Sequence, residues 1–275
     1  MKSTNRTLGL IALFLLLLNL PAAFSQDTIA RPKYITVTTM HWNMDQKDFE
    51  MDAWKSVEKE YLDKVTSKNG YVMSAAFYLH QFTADNTEVV YVQSYASWED
   101  IDKASKTNDA LEKAVWADEN TRKSFFKKRN NYYSTEHSDE IYATFPGAKL
   151  MAKKPDKNMV LYVRKSHLAF PVDGDEQEFN TLIKEGMEHV VHKNEYIKAY
   201  YPYVHAWGAD RTEFVEAFLL DSLADIVKMI EKTSELNNAK WTDENTRNSR
   251  RDKMRKYFTG VHGDYIYTAI AGLSK

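Results

Sequence analysis

The 275-residue chain contains no cysteine. That absence excludes disulfides, thiol chemistry and lipid attachment at a cysteine. It carries no Gly-rich phosphate loop, no dinucleotide fingerprint and no Ser nucleophile elbow. Charge of either sign is not in excess, with 37 Lys and Arg against 39 Asp and Glu. That balance argues against nucleic acid as a partner. Only one long apolar run occurs, near the N-terminus.

That run, Leu8 to Leu18, is too short to span a bilayer comfortably. Lys2 and Arg6 precede it, Pro21 breaks it, and Ala23-Phe24-Ser25 fits a small-x-small cleavage site. Residues 1–25 therefore read as a secretory signal cleaved near Ser25-Gln26, with an uncleaved anchor as the rival. Cleavage would leave a periplasmic or secreted chain with no stable membrane anchor. The net charge would move from −2 to about −4. Without disulfides, such a chain is held by its core alone.

What the chain does have is a copy of itself. Residues 33–149 and 158–274 align at a spacing of 125, with roughly 34 of about 117 positions identical. The clearest stretch is Trp116-Ala-Asp-Glu-Asn-Thr-Arg-Lys-Ser124 against Trp241-Thr-Asp-Glu-Asn-Thr-Arg-Asn-Ser249. Residues 150–157, polar and Pro-containing, read as the linker.

Each copy opens on a strand rich in β-branched and aromatic residues, Tyr34–Trp42 and Met159–His167. Trp54, Val57, Tyr61 and Val65 then recur at helical spacing, as do Phe179, Leu182, Gly186 and Val190. Gly186 is a poor helix residue and suggests close approach of a neighbour. A hairpin follows, Tyr71–Phe82 with Thr87–Tyr95, turning at Ala-Asp-x-Thr-Glu in both copies. Ser97 and Asp100, like Ser222 and Asp225, sit at capping spacing before a second helix. Closing strands are expected near Asp139–Phe145 and Asp264–Ile270.

The order is β-α-β-β-α-(α)-β, the ferredoxin-like arrangement. The expected fold class is α+β: two tandem repeats packed sheet to sheet as an intrachain pseudo-dimeric barrel. The alternative is two independent beads. The strand-helix order, repeat length and tandem copy resemble the dimeric α+β barrel superfamily, including antibiotic-biosynthesis-monooxygenase-like, NIPSNAP-like and haem-degrading domains. The resemblance covers both repeats but rests on topology rather than a diagnostic motif. It implies activities that use Asn, Trp and His, with a His proximal to iron where haem is the substrate. It assigns no role to any residue of this chain.

Candidate site residues come from polar positions kept in both copies. Tyr78 and His80, with counterparts Tyr203 and His205, alternate onto one strand face. Facing into a barrel, they would line a cavity where His could bind a ligand or move a proton. The plainer reading is a satisfied core His. His137 with Asp139, and His262 with Asp264, are possible acid/base pairs, or strand-entry turns. Arg122 and Arg247, with Asn120 and Asn245, could close over an anion. They could equally finish a Trp-anchored, capped helix in which Asp118 and Asp243 pair with the arginines. His189 and His192 lie one helical turn apart, but the first copy has Lys64 and Ser67 there, and solvation explains them. No metal cluster is expected.

Three functions remain open. One is an exported protein binding a small apolar or aromatic ligand, as a monomer or weak homo-oligomer. A second is a monooxygenase-like oxidoreductase acting on an aromatic substrate or haem, with haem as its possible cofactor. The third is a structural or stress-related protein with a solid core. Divergence between copies, such as Ala76 against Tyr201, predicts that the halves do not bind one ligand equally.

Overall fold

A computed structural model describes residues 31–151 and 153–275. The expected signal segment lies outside the described residues. The first repeat runs β1 (Tyr34–Trp42), α1 (Met51–Tyr61), β2 (Ser74–Phe82), β3 (Glu88–Tyr95), α2 (Trp98–Val115), α3 (Glu119–Asn130) and β4 (Tyr133–Thr144). The second runs β5 (Met159–Leu168), α4 (Glu176–Gly186), β6 (Ala199–Trp207), β7 (Glu213–Leu220), α5 (Ala224–Lys240), α6 (Glu244–Arg255) and β8 (Phe258–Ser274). The closing strands are longer than the sequence pattern suggested.

All eight strands form one closed antiparallel barrel in the order β1-β3-β2-β8-β5-β7-β6-β4. Each repeat supplies four adjacent strands, and the repeats join edge to edge through β2–β8 and β4–β6. The two sheets therefore face each other and leave no free edge between them. Strand directions place both hairpin turns at the same mouth of the barrel, with the ends of β1 and β5.

Period-two alternation divides the strands into two faces. Inward residues meet inside the barrel, where Leu161, Ala217 and Leu219 pack with Tyr78, Tyr201, Tyr203 and Tyr267. Ile35, Tyr142 and Val215 extend this layer. Outward residues such as Phe77 and Val89 pack under α1 with Trp54 and Val57. Their counterparts under α4 and α5 include Tyr200, Leu220, Met187 and Met229.

The repeats do not superpose at one spacing throughout. His41 pairs with Glu88 and His167 with Glu213, so β1 and β5 match at a spacing of 126. The helices return to 125, because the loop before α4 is one residue shorter than that before α1. Each of these histidines contacts equivalent groups through Nδ1. His41 meets Thr87 at 3.1 Å and Asp85 at 3.1 Å. His167 meets Thr212 at 2.9 Å and Asp210 at 3.0 Å. A gapless comparison hides this pair.

Both α1 and α4 continue into a one-turn π-helix, Leu62–Thr66 and Met187–Val191. Fully buried Asn69 and Asn194 follow. Asn69 donates to the Ala104 carbonyl at 2.8 Å and Asn194 to that of Met229 at 2.9 Å, tying each π turn to the next helix. Ser97 caps α2 by accepting from the Asp100 amide. Ser222 instead donates to the Asp225 carboxylate, and α5 starts one residue later.

Candidate functional site

A crevice lies in the second repeat, between the outer face of its sheet and α4, α5 and α6. Its volume is about 740 Å³, within the usual range for small-molecule sites. Tyr200, Glu216 and Phe258 come from the sheet. Ile183, Met187, Val190 and Val191 form an apolar wall from α4 and its π turn. Asn237, Asn238 and Trp241 line the end of α5, and Arg247, Arg250, Arg251, Met254 and Arg255 project from α6.

The first repeat fills the equivalent space. Tyr61 stands where the second repeat has Gly186, and Phe125 and Phe126 stand where it has Arg250 and Arg251. Trp116 stacks on Phe125 at 4.1 Å, and Tyr61 packs edge-on against Phe126 at 6.2 Å. Beneath them Glu58, 1 % exposed, accepts three hydrogen bonds from Arg129 at 2.9–3.0 Å and one from Tyr133 at 2.8 Å. The second repeat replaces this pair by Ile183 and Met254, and Tyr91 by Glu216. Aromatic bulk becomes void at Gly186, where an added Cβ would meet only Arg250 Nη2, at 3.8 Å.

The polar groups of the crevice are not equivalent. Glu216 accepts from the Tyr200 hydroxyl at 2.8 Å. Burial pushes the Glu216 carboxyl above its ordinary range, against the opposing pull of Tyr200 and of Arg164. Tyr200 is held far above the usual phenol range, chiefly by burial. Arg250 lies 4.2 Å over the Trp241 ring and bonds the Glu185 carboxylate and the Leu182 carbonyl. Its shift is downward, because it is partly buried. Arg247 donates to the carbonyls of Trp241 and Thr242 at 2.6 and 2.7 Å.

The residues singled out from sequence fall in several places. Tyr78 and Tyr203 are inside the barrel and packed, not in the crevice. His80 Nδ1 contacts Thr83 at 2.8 Å near the hairpin mouth. His205 Nε2 is buried there without a hydrogen-bond partner among the described residues. His137 lies 3.3 Å from Asp139, and His262 3.3 Å from Asp264, on the barrel exterior. Asp264 also accepts from Tyr162 at 2.6 Å and Arg164 at 2.9 Å; these partners hold its carboxyl low against the opposing cost of burial. Asn120 and Asn245 are exposed in the first turns of α3 and α6. Arg122 donates to the Trp116 carbonyl at 3.0 Å, while Asp118 caps Thr121. Of these residues only Arg247 reaches the crevice.

An iron-bound haem with a proximal imidazole does not fit this crevice. Thioethers, a phenol and two carboxyls line it, but no imidazole does. His189, on the neighbouring π turn, presents its ring to the Trp241 indole at 6.4 Å. Among the described residues no group of three or more His, Asp or Glu side chains could hold a metal ion.

No family model and no curated protein sequence matches the chain. Solved structures do. A "putative monooxygenase" from Fusobacterium nucleatum aligns over 87 % of this chain and 93 % of its own, at TM-score 0.55 and 10 % identity. A "putative monooxygenase" from Lactobacillus acidophilus covers 88 % and 95 %, at 0.51 and 7 %. A chlorite dismutase variant from Candidatus Nitrospira defluvii covers 90 % and 96 %, at 0.52 and 10 %. These likenesses establish the fold: two ferredoxin-like repeats of one polypeptide closed into an eight-stranded α+β barrel, in the manner of a pseudo-dimer.

Proposed function

We propose that this protein binds a small apolar or aromatic molecule in the crevice of its second repeat, and that the first repeat is a solid scaffold. The observation that carries this is the paired exchange of Tyr61 for Gly186 and of Phe125 for Arg250. One change removes a ring from the cluster packed between the three helices of the repeat, and the other replaces a ring by a chain that folds back on Trp241. Packed interiors do not leave such space without cost. The export expected from the N-terminal segment, and a monomeric or weakly oligomeric state, belong to the same proposal.

Asn237, Asn238 and Trp241 at the crevice favour a second reading, cofactor-independent oxidation of an aromatic substrate. Oxygen uptake with candidate phenols, abolished in Gly186→Tyr, would support it. The test of binding itself is Gly186→Tyr, which restores the first repeat's ring. Gly186 has φ −60°, so a side chain is tolerated in the helix. Aromatic compounds should raise the melting temperature of the wild type and not of the variant. Equal stabilisation of both would refute the site.

A further inference from the structure

We infer that the ligand of this crevice is a small amphipathic acid: an aromatic or alicyclic body seated against α4, with one carboxylate or sulfonate held at the α6 mouth. The inference rests on the binding role proposed above and adds the ligand's charge and orientation.

Four arginines line the crevice against two carboxyls, Glu216 and Glu244. The excess is local, since the chain as a whole carries −2. Arg250 is neutralised by Glu185, and Arg255 lies 3.7 Å from Asp252. Arg247 bonds only carbonyl oxygens and Arg251 the neutral Asn248 amide. Arg247 also acts on the nearby Asp243 carboxylate, whereas among the described residues Arg251 has no carboxylate within ion-pair distance. Arg251 and Arg255 are exposed, which places them at the opening. Glu216 comes from the sheet and lies deeper. An acid entering head first would meet this carboxyl, whereas one entering ring first leaves its anion beside the guanidinium groups, whose forked donors match it. In the first repeat, positions 125, 126 and 130 are Phe, Phe and Asn, against Arg250, Arg251 and Arg255. The arginines at these three positions and the cavity occur together in the second repeat, where the first has two packed rings and an amide.

The test compares two fluorescent probes of similar shape. One is anionic, 1-anilinonaphthalene-8-sulfonate; the other is neutral, N-phenyl-1-naphthylamine. The full chain at low ionic strength should bind the anion about tenfold more tightly, and half-molar salt should erase most of the difference. Arg251→Gln/Arg255→Gln should remove the preference, weakening the anionic probe far more than the neutral one. Gly186→Leu should weaken both probes. Equal affinities that Gly186→Leu still abolishes would overturn the acid and leave the binding site standing. A preference for the anion that survives the double variant would also overturn it. Insensitivity of both probes to Gly186→Leu would remove the site, and the inference with it.

Discussion

Truncating Arg129 tests whether the first repeat is held by its buried ion pair. Arg129→Met copies the residue found at position 254 of the second repeat. It deletes three hydrogen bonds of 2.9–3.0 Å and strands Glu58 at 1 % exposure with Tyr133 as its remaining partner. The carboxylate cannot reach water without opening α1. Breaking such a pair by removing one partner costs about 3–5 kcal/mol, because an uncompensated charge stays buried. Loss of the guanidinium stacked 4.0 Å from the Tyr61 ring adds on the order of 1 kcal/mol. Glu58→Ile/Arg129→Met installs both second-repeat residues and removes the stranded charge. It should recover most of the loss, finishing within about 2 kcal/mol of wild type. Urea denaturation followed by circular dichroism measures all three proteins. A single variant costing less than about 1 kcal/mol would mean that water reaches Glu58. A double variant no better than the single would mean that packing, not charge, sets the loss.

Gly186→Ala should raise stability by about 0.5–1 kcal/mol through helix propensity alone, because its Cβ meets nothing closer than 3.8 Å; a lower melting temperature would show that the glycine is needed for close packing. Glu216→Gln should be more stable than wild type at neutral pH, by an advantage that shrinks as the pH falls toward 4. Burial raises this carboxyl in the folded state, so its stabilising protonated form is present below the unfolded value and is lost as pH rises through the folded one. A pH-independent difference would refute that sign. Asn194→Ala should cost about 1–3 kcal/mol by leaving the Met229 carbonyl and the Tyr196 amide without their buried partner, and Asn69→Ala should cost as much, both by chemical denaturation.

The duplication, the strand order and the barrel were legible because they follow from periodicities that every homologous position repeats. Tyr78 and Tyr203 alternate correctly and do face the barrel interior. That interior is packed by Tyr201, Tyr267 and Leu161, and no period-two pattern tells a filled barrel from a hollow one. The one-residue shift of β5 leaves His41 and His167 one position out of step at a spacing of 125, so a gapless comparison does not pair them. Their common partners, Asp85 with Thr87 and Asp210 with Thr212, lie in the hairpin turns, so only the folded arrangement shows that they are equivalent.

The crevice escaped for a deeper reason. Retention between copies selects what both copies need, and here both need caps, helix ties and joints. Asp118 and Asp243, Asn69 and Asn194, and Arg122 and Arg247 are retained, and each closes hydrogen bonds within the chain. A binding cavity in one copy must instead appear as difference, at positions that are bulky in one half and small or charged in the other. Tyr61 against Gly186, Phe125 against Arg250 and Arg129 against Met254 are three such positions, all on helices over the outer sheet face. One repeat can lose packing at that interface because its sheet does not depend on its helices alone. Hydrogen bonds along β2–β8 and β4–β6, and the shared tyrosine layer inside, brace the second sheet against the first. Those seams are made by backbone groups, so the pairing survives even where the seam strands themselves diverge, as at Ala76 against Tyr201 and Leu79 against Val204.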